Sequence, residues 1–195
     1  MQAGERPAAT GSVGAQGFGE DHCERSAADL LRIAEGRAVT LAIAESLTGG
    51  QVSSTLVGVP GASRVLLGAV VAYATRIKAQ VLGVDAAHLE RTGPVDRDVA
   101  LQMAWGVRRL LGADLGLATT GVAGPGRADG HPAGTVHIAV VAPWGEVHRE
   151  LRLGGDRSQI RCGTVLNVIE LAVGLLSKEA DDVNLVAPQY LQTAD

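Results

Sequence analysis

Apolar residues recur along this chain at two spacings. Continuous runs at residues 39–44, 65–73, 115–120 and 135–141 have the length and composition of buried strands. Three other stretches follow the helical period. Ala27, Leu30, Leu31, Ile33 and Ala34 mark a helix over 26–36 that Gly36 stops. Val99, Met103, Val107 and Leu110 mark another, with Asp96 as its cap and Gly112 past its last turn. Ile160, Val165, Val168, Ala172 and Leu175 mark a closing helix from Asp156 to about Ser177. Shorter helices are expected from Gly50 to about Val57 and through Lys78 to Leu82. Residues 147–153 alternate Val147, Leu151 and Leu153 with His148, Glu150 and Arg152. With Pro143-Trp144-Gly145 as the turn, they pair with 135–141 as an antiparallel hairpin. Helices interleaved with buried strands, plus one hairpin, predict an α/β fold: a three-layer α/β/α sandwich on a mixed sheet. One domain over 21–178 is expected, between a disordered arm at 1–20 and a tail at 179–195. No internal repeat is visible.

Composition narrows the function. Of 195 residues 46% are hydrophobic and only 3% aromatic, so the core is built from Ala, Val, Leu and Ile. The 26 glycines suggest backbone that approaches a ligand closely. A net charge of -4 argues against a nucleic-acid partner, because such surfaces need clustered Lys and Arg. Cys23 and Cys162 have neither metal-ligand nor redox-pair spacing, which fits a reducing compartment. The first twenty residues lack the apolar run of a signal peptide, and no uninterrupted run reaches the 18 to 20 apolar residues that span a bilayer. The expectation is a cytoplasmic protein with no membrane partner, no metal and, by default, a homo-oligomeric state, a symmetric dimer.

Two glycine-rich corners carry the candidate chemistry. Glu45-Ser46-Leu47-Thr48-Gly49-Gly50 lies where a buried strand gives way to a helix, and unpaired backbone N–H groups gather at such a place. Ser46 is there either a nucleophile or a plain helix cap. A second corner, Gly121-Val122-Ala123-Gly124-Pro125-Gly126, follows the run at 115–120. A serine hydroxyl needs a base. The five histidines, His22, His88, His131, His137 and His148, form no recognisable triad. Lys78 lies five residues beyond Tyr73 and is the sole lysine before Ser177. If desolvated it would be a base; the other reading is an exposed lysine on a short helix. Arg157 and Arg161, four residues apart at the start of the closing helix, either grip an anion together or are solvated. Trp105 and Trp144 are assigned to packing and surface cover. Asp129 and His131 sit in the second glycine loop, placed to touch a ligand or a metal, yet two such residues make no recognisable metal set.

These segments together resemble the C-terminal domain of competence-damage-inducible protein A, a family also found as stand-alone nicotinamide-nucleotide amidases. The resemblance rests on Ala44-Glu45-Ser46-Leu47-Thr48-Gly49-Gly50, on Tyr73 with Lys78, on residues 120–126 continuing through Pro132-Ala133-Gly134-Thr135-Val136, and on Gly155-Asp156-Arg157 with Arg161. It covers about residues 26–177. It implies hydrolysis of nicotinamide mononucleotide to nicotinate mononucleotide and ammonia, without a cofactor. Ser46 would be the nucleophile, Lys78 its general base, and Tyr73 a partner that orients or relays the proton. Glu45, Thr48, Gly49, Gly50, Thr120, Gly121, Gly124, Pro125 and Gly126 would shape the oxyanion and nucleotide pockets, with Arg157 and Arg161 on the phosphate. The chain departs from the family pattern at Leu47, where many relatives have Cys, and at Ala74-Thr75, where they have Ser-Asn. The larger N-terminal domain of two-domain relatives is not expected here. The competing expectation is a catalytically impaired nucleotide-binding or protein-interaction module linked to competence or DNA repair.

Overall fold

Leu41, Ala42, Ile43 and Ala44 are fully buried, because their strand lies inside a sheet covered on both faces. The computed structural model describes residues 17–177. Its strands are β1 (Leu41–Glu45), β2 (Leu66–Val71), β3 (Leu115–Gly121), β4 (Thr135–Ala142) and β5 (Gly145–Arg152). They form one sheet in the order β2-β1-β3-β4-β5. β1 runs parallel to β2 and β3, whereas β3, β4 and β5 are successively antiparallel. The sheet is therefore mixed, with the expected hairpin at one edge. Burial follows position: β1 and β4 are buried along their whole length, while the edge strands β2 and β5 are half-exposed.

The helices are α1 (Gly17–Gly36), α2 (Gln51–Val57), α3 (Thr75–Leu82), α4 (Ala86–Thr92), α5 (Arg97–Leu111) and α6 (Arg157–Ser177). One face of the sheet carries α1, α2 and α6, with Leu30, Val52, Leu56, Ile160 and Val168 packed on Leu41, Ile43, Leu115 and Leu117. The other carries α3, α4 and α5, with Leu82, Leu89, Val99 and Met103 packed on Ala42, Ala44 and Ala118. Each large aliphatic side chain so buried contributes about 1.5–3 kcal/mol. The sandwich has three layers, as expected.

Several boundaries differ from the sequence expectation. α1 begins at Gly17, nine residues before Ser26 and inside the segment assigned to an arm. Its buried apolar stripe includes Cys23, one turn ahead of Ala27. Residues 1–16 and the expected tail at 179–195 lie outside the described residues. β2 ends at Val71, and α4 was not anticipated: its seven residues bury only Leu89, too little for a periodic signal. Asp96 caps α5 as expected, accepting from the N–H groups of Asp98 and Val99. Among the described residues α6 alone is long and apolar enough to cross a membrane. Here it packs on α1 and β4, with Ile160, Val165, Val168, Ala172 and Leu175 buried.

Chain direction places the site. After β1 the chain turns into α2 on one face; after β2 it turns into α3 on the other. Such a divergence opens a crevice at the C-terminal ends of two parallel strands. Ser46 and Ala72 sit there side by side, because Glu45 pairs with Val71 and the Ala72 N–H donates to the Glu45 carbonyl at 2.8 Å.

Candidate active site

Lys78 and Leu82 are one helical turn apart on α3 and are both buried. Leu82 anchors that face against α5 at Gly106, where an added Cβ would stand 2.0 Å from the Leu82 carbonyl oxygen. The lack of a side chain at Gly106 is what lets α3 lie so close. The same contact turns Lys78 toward the crevice. Its Nζ donates to Ser46 Oγ at 2.9 Å and to the Ala72 carbonyl at 2.8 Å. Lys78 is 1% exposed and Ser46 8%. Burial, which penalises the ammonium, lowers the Lys78 pKa from 10.5 to about 8, against a smaller opposing effect of the Asp129 carboxylate. A hydroxyl therefore sits against an amine that is neutral in a substantial fraction of molecules near pH 8.

The pair faces a cavity of about 290 Å³. Ser46, Leu47, Tyr73, Thr75 and Lys78 line it together with Pro94, Val95, residues 120–129 and Arg157. The Thr120 hydroxyl donates to the Pro94 carbonyl at 2.6 Å, tying β3 to the link between α4 and α5. Gly121, Gly124, Pro125 and Gly126 therefore lie where the second glycine corner was expected to act. None of the five histidines lines the cavity. Among the described residues His88, Asp96 and Asp98 are the one trio whose metal-ligating atoms all lie within 4.8 Å of one another. They are outside the cavity, and Asp96 is engaged by the first turn of α5 and by His88.

The first glycine corner is built differently from the expectation. Glu45 is fully buried and touches no part of the cavity. Its Oε2 accepts from the N–H groups of Gly50 and Val52, and its Oε1 from the N–H and hydroxyl of Ser53. A carboxylate that satisfies the orphan donors of α2 in this way holds the helix onto the strand. Thr48 is buried against Thr119, with hydroxyl oxygens 2.8 Å apart. Gly49 and Gly50 take left-handed φ angles of 60° and 95° to make the turn. The Gly49 N–H donates to the Ser46 carbonyl and the Gly50 N–H to Glu45, so neither is free for an oxyanion. Glu45, Thr48, Gly49 and Gly50 shape the corner and do not line the substrate cavity. The N–H groups of Leu47 and Thr48 make no hydrogen bond among the described residues, and Leu47 lines the cavity.

The two arginines also separate. Arg157 lines the cavity and donates to the Gly124 carbonyl at 2.7 Å and the Tyr73 hydroxyl at 3.3 Å. Arg161 donates instead to the carbonyls of Leu47 and Thr48, at 3.1 and 2.6 Å. α6 runs past the Ser46 corner, whose Leu47 and Thr48 carbonyls take up that guanidinium, so the expected two-armed grip on an anion is not formed. Tyr73 is 63% exposed at the cavity mouth, and its hydroxyl makes no hydrogen bond to Ser46 or Lys78.

A family model described as the CinA C-terminal domain matches residues 23–176, nearly everything the structure describes. The chain belongs to the CinA C-terminal domain family. A putative competence-damage inducible protein of Desulforamulus reducens is 49% identical over 134 residues, covering 69% of this chain and 33% of that protein. A CinA-like protein of Frankia casuarinae is 48% identical over 141 residues, 72% of this chain and 33% of its own length. The chain thus spans about a third of these relatives. Among solved structures, the competence/damage inducible protein CihA of Agrobacterium tumefaciens superposes with a TM-score of 0.76 at 35% identity, covering 79% of this chain and 95% of that one. A CinA superfamily protein from Klebsiella pneumoniae gives 0.76 at 28% identity, covering 79% and 97%.

In this CinA domain Pro94, Val95, Arg127 and the Leu47 amide were not foreseen as parts of the site, and Asp129 was set aside with His131. Charged residues flanking a Gly-Pro-Gly run, as in Arg127-Ala128-Asp129, were the available signal. Backbone of a short interhelical link such as Pro94-Val95 leaves none.

Proposed function

We propose that this CinA domain is a serine amidohydrolase acting on the carboxamide of nicotinamide mononucleotide, releasing ammonia and nicotinate mononucleotide. The single observation that carries the reading is the 2.9 Å contact between Ser46 Oγ and the Nζ of a fully buried Lys78. Serine is a weak nucleophile until a neighbour takes its proton, and a dehydrated amine is such a neighbour. When neutral, Lys78 keeps an N–H on the Ala72 carbonyl and turns its lone pair to Ser46. Ser46 Oγ attacks the carboxamide carbon as its proton passes to Nζ. The tetrahedral oxyanion is met by the free amide at Leu47, which lines the cavity, an interaction worth about 3–4 kcal/mol for a well-placed donor. Lys78 returns the proton to the leaving nitrogen, ammonia departs, and an acyl ester remains on Ser46. Water then adds to the ester with Lys78 again as base, freeing the carboxylate and restoring the hydroxyl.

The family resemblance supplies the identity of the substrate, and the charge around the cavity agrees with it. Arg127 and Arg157 at the rim suit a 5′-phosphate, and the glycine backbone of 121–126 leaves room for a ribose. The purified chain is expected to release ammonia from nicotinamide mononucleotide and not from glutamine, and Ser46→Ala to lose that activity while melting as the wild type does. A folded Ser46→Ala with full activity sinks the scheme.

A further inference from the structure

Asp129 lines the same cavity as Ser46 and Lys78, yet nothing in the proposed chemistry uses it. Its carboxylate has no hydrogen bond or ion pair among the described residues. The neighbouring guanidiniums do not pair with it: Arg127 donates to the Gly130 carbonyl at 2.6 Å, and Arg157 to Gly124 and Tyr73, each with further N–H groups left over. The segment is pinned. Ala128 and His131 exchange backbone hydrogen bonds of 3.1 and 2.9 Å, and Asp129 and Gly130 make the two-residue turn between them with φ of 49° and 80°. Such a turn accepts Asp, Asn or Gly equally well, so turn geometry accounts for the backbone, and the solvent-exposed carboxylate is left open to a ligand in the cavity. The charge also works against the base, since an adjacent carboxylate favours the ammonium form of Lys78. A cavity made only to deprotonate a serine has no use for it.

We infer that the Asp129 carboxylate is a cation subsite, which selects amides borne on a positively charged aromatic ring over amides on a neutral ring. This deepens the amidase reading and rests on it for the choice of ligand. A pyridinium in the cavity neutralises the carboxylate and adds its own positive charge near Lys78, driving the lysine toward the free amine. The empty site thus holds its base partly protonated, and a cationic substrate completes the activation. Arg157 and Arg127 take the opposite charge, so the cavity as a whole fits a zwitterion: cationic ring, anionic phosphate.

Asp129→Asn keeps the turn and removes the charge. Binding is measured by titration calorimetry in a Ser46→Ala background, so that it does not depend on turnover. The two probes are nicotinamide mononucleotide and the 5′-phosphate of the benzamide C-nucleoside, which has the same carboxamide on an uncharged ring. Ser46→Ala is expected to prefer the cationic probe by about fivefold, the size of one partly exposed ion pair. Adding Asp129→Asn should abolish that preference while leaving the neutral probe's affinity unchanged. Equal affinities before the substitution, an equal loss for both probes, or no loss for either overturns the inference. Ammonia release by the wild type is scored separately: a chain that binds with the stated preference but releases none refutes the amidase reading alone.

Discussion

Two strand-to-helix corners lie side by side at the C-terminal ends of β1 and β2, and each buries one ionisable side chain. Glu45, at the first, is met by four hydrogen bonds from Gly50, Val52 and Ser53. Lys78, at the second, has two hydrogen bonds and no ion pair among the described residues. The Glu45 bonds are taken up in closing the turn into α2, whereas Lys78 reaches Ser46 across the crevice with a pKa that burial lowers to about 8. The contrast predicts that the two corners fail differently when broken.

The largest effect belongs to Lys78→Met, which keeps the apolar stem and removes the amine. Ammonia release should fall about 10³-fold, in line with loss of a general base. The melting temperature should move by no more than about 4 °C, because lost hydrogen bonds are offset by an ammonium no longer dehydrated. In the wild type, kcat/KM should rise with pH, half-complete near 8 and level above it, since protonated Lys78 cannot accept the serine proton. Stability should show the matching sign. The folded pKa lies below that of the unfolded chain, so between about 8 and 10.5 the unfolded state binds more protons. The penalty of burying Lys78 is full below that window and fades across it, so the wild type gains on Lys78→Met as pH rises from 8 to 10.5. Parallel stability curves for the two proteins would refute the dehydration account.

Glu45→Ala comes next and inverts the pattern. The N–H groups of Gly50, Val52 and Ser53 lose their acceptor, costing about 3 kcal/mol, or about 6–12 °C in melting temperature. Calorimetric unfolding beside an ammonia assay on the folded fraction separates this from Lys78→Met. The smallest effect is Arg161→Gln, which loosens the carbonyls of Leu47 and Thr48. It should cost about 1 kcal/mol of stability and about tenfold in kcat with little change in KM, a signature of mispositioned donors and not of lost phosphate binding.

Most elements were legible from spacing alone, because central strands and amphipathic helices write their burial into the apolar pattern. α4 was not, since a helix of seven residues that buries only Leu89 leaves no periodic signal. Lys78 was conspicuous as a solitary lysine, but its meeting with Ser46 depends on β1 and β2 being neighbours, which no local pattern encodes. The roles of Glu45 and Arg161 were misjudged for a related reason. Both satisfy backbone groups, and a sequence does not say which amides and carbonyls a turn leaves unpaired. Arg157 and Arg161 share a helix face, yet that face crosses two different surroundings within one turn.

The opposed exits of the chain from β1 and β2 have one more consequence. Ser46 and Lys78 hang from segments that pass to different layers, and the amine loses its water only when α3 has settled against α5 through Gly106. A nascent or partly opened chain therefore carries an ordinary, fully charged lysine and an ordinary alcohol. On the proposed mechanism, reactivity toward amides therefore depends on α3 being docked against α5, and a local opening of that contact removes it.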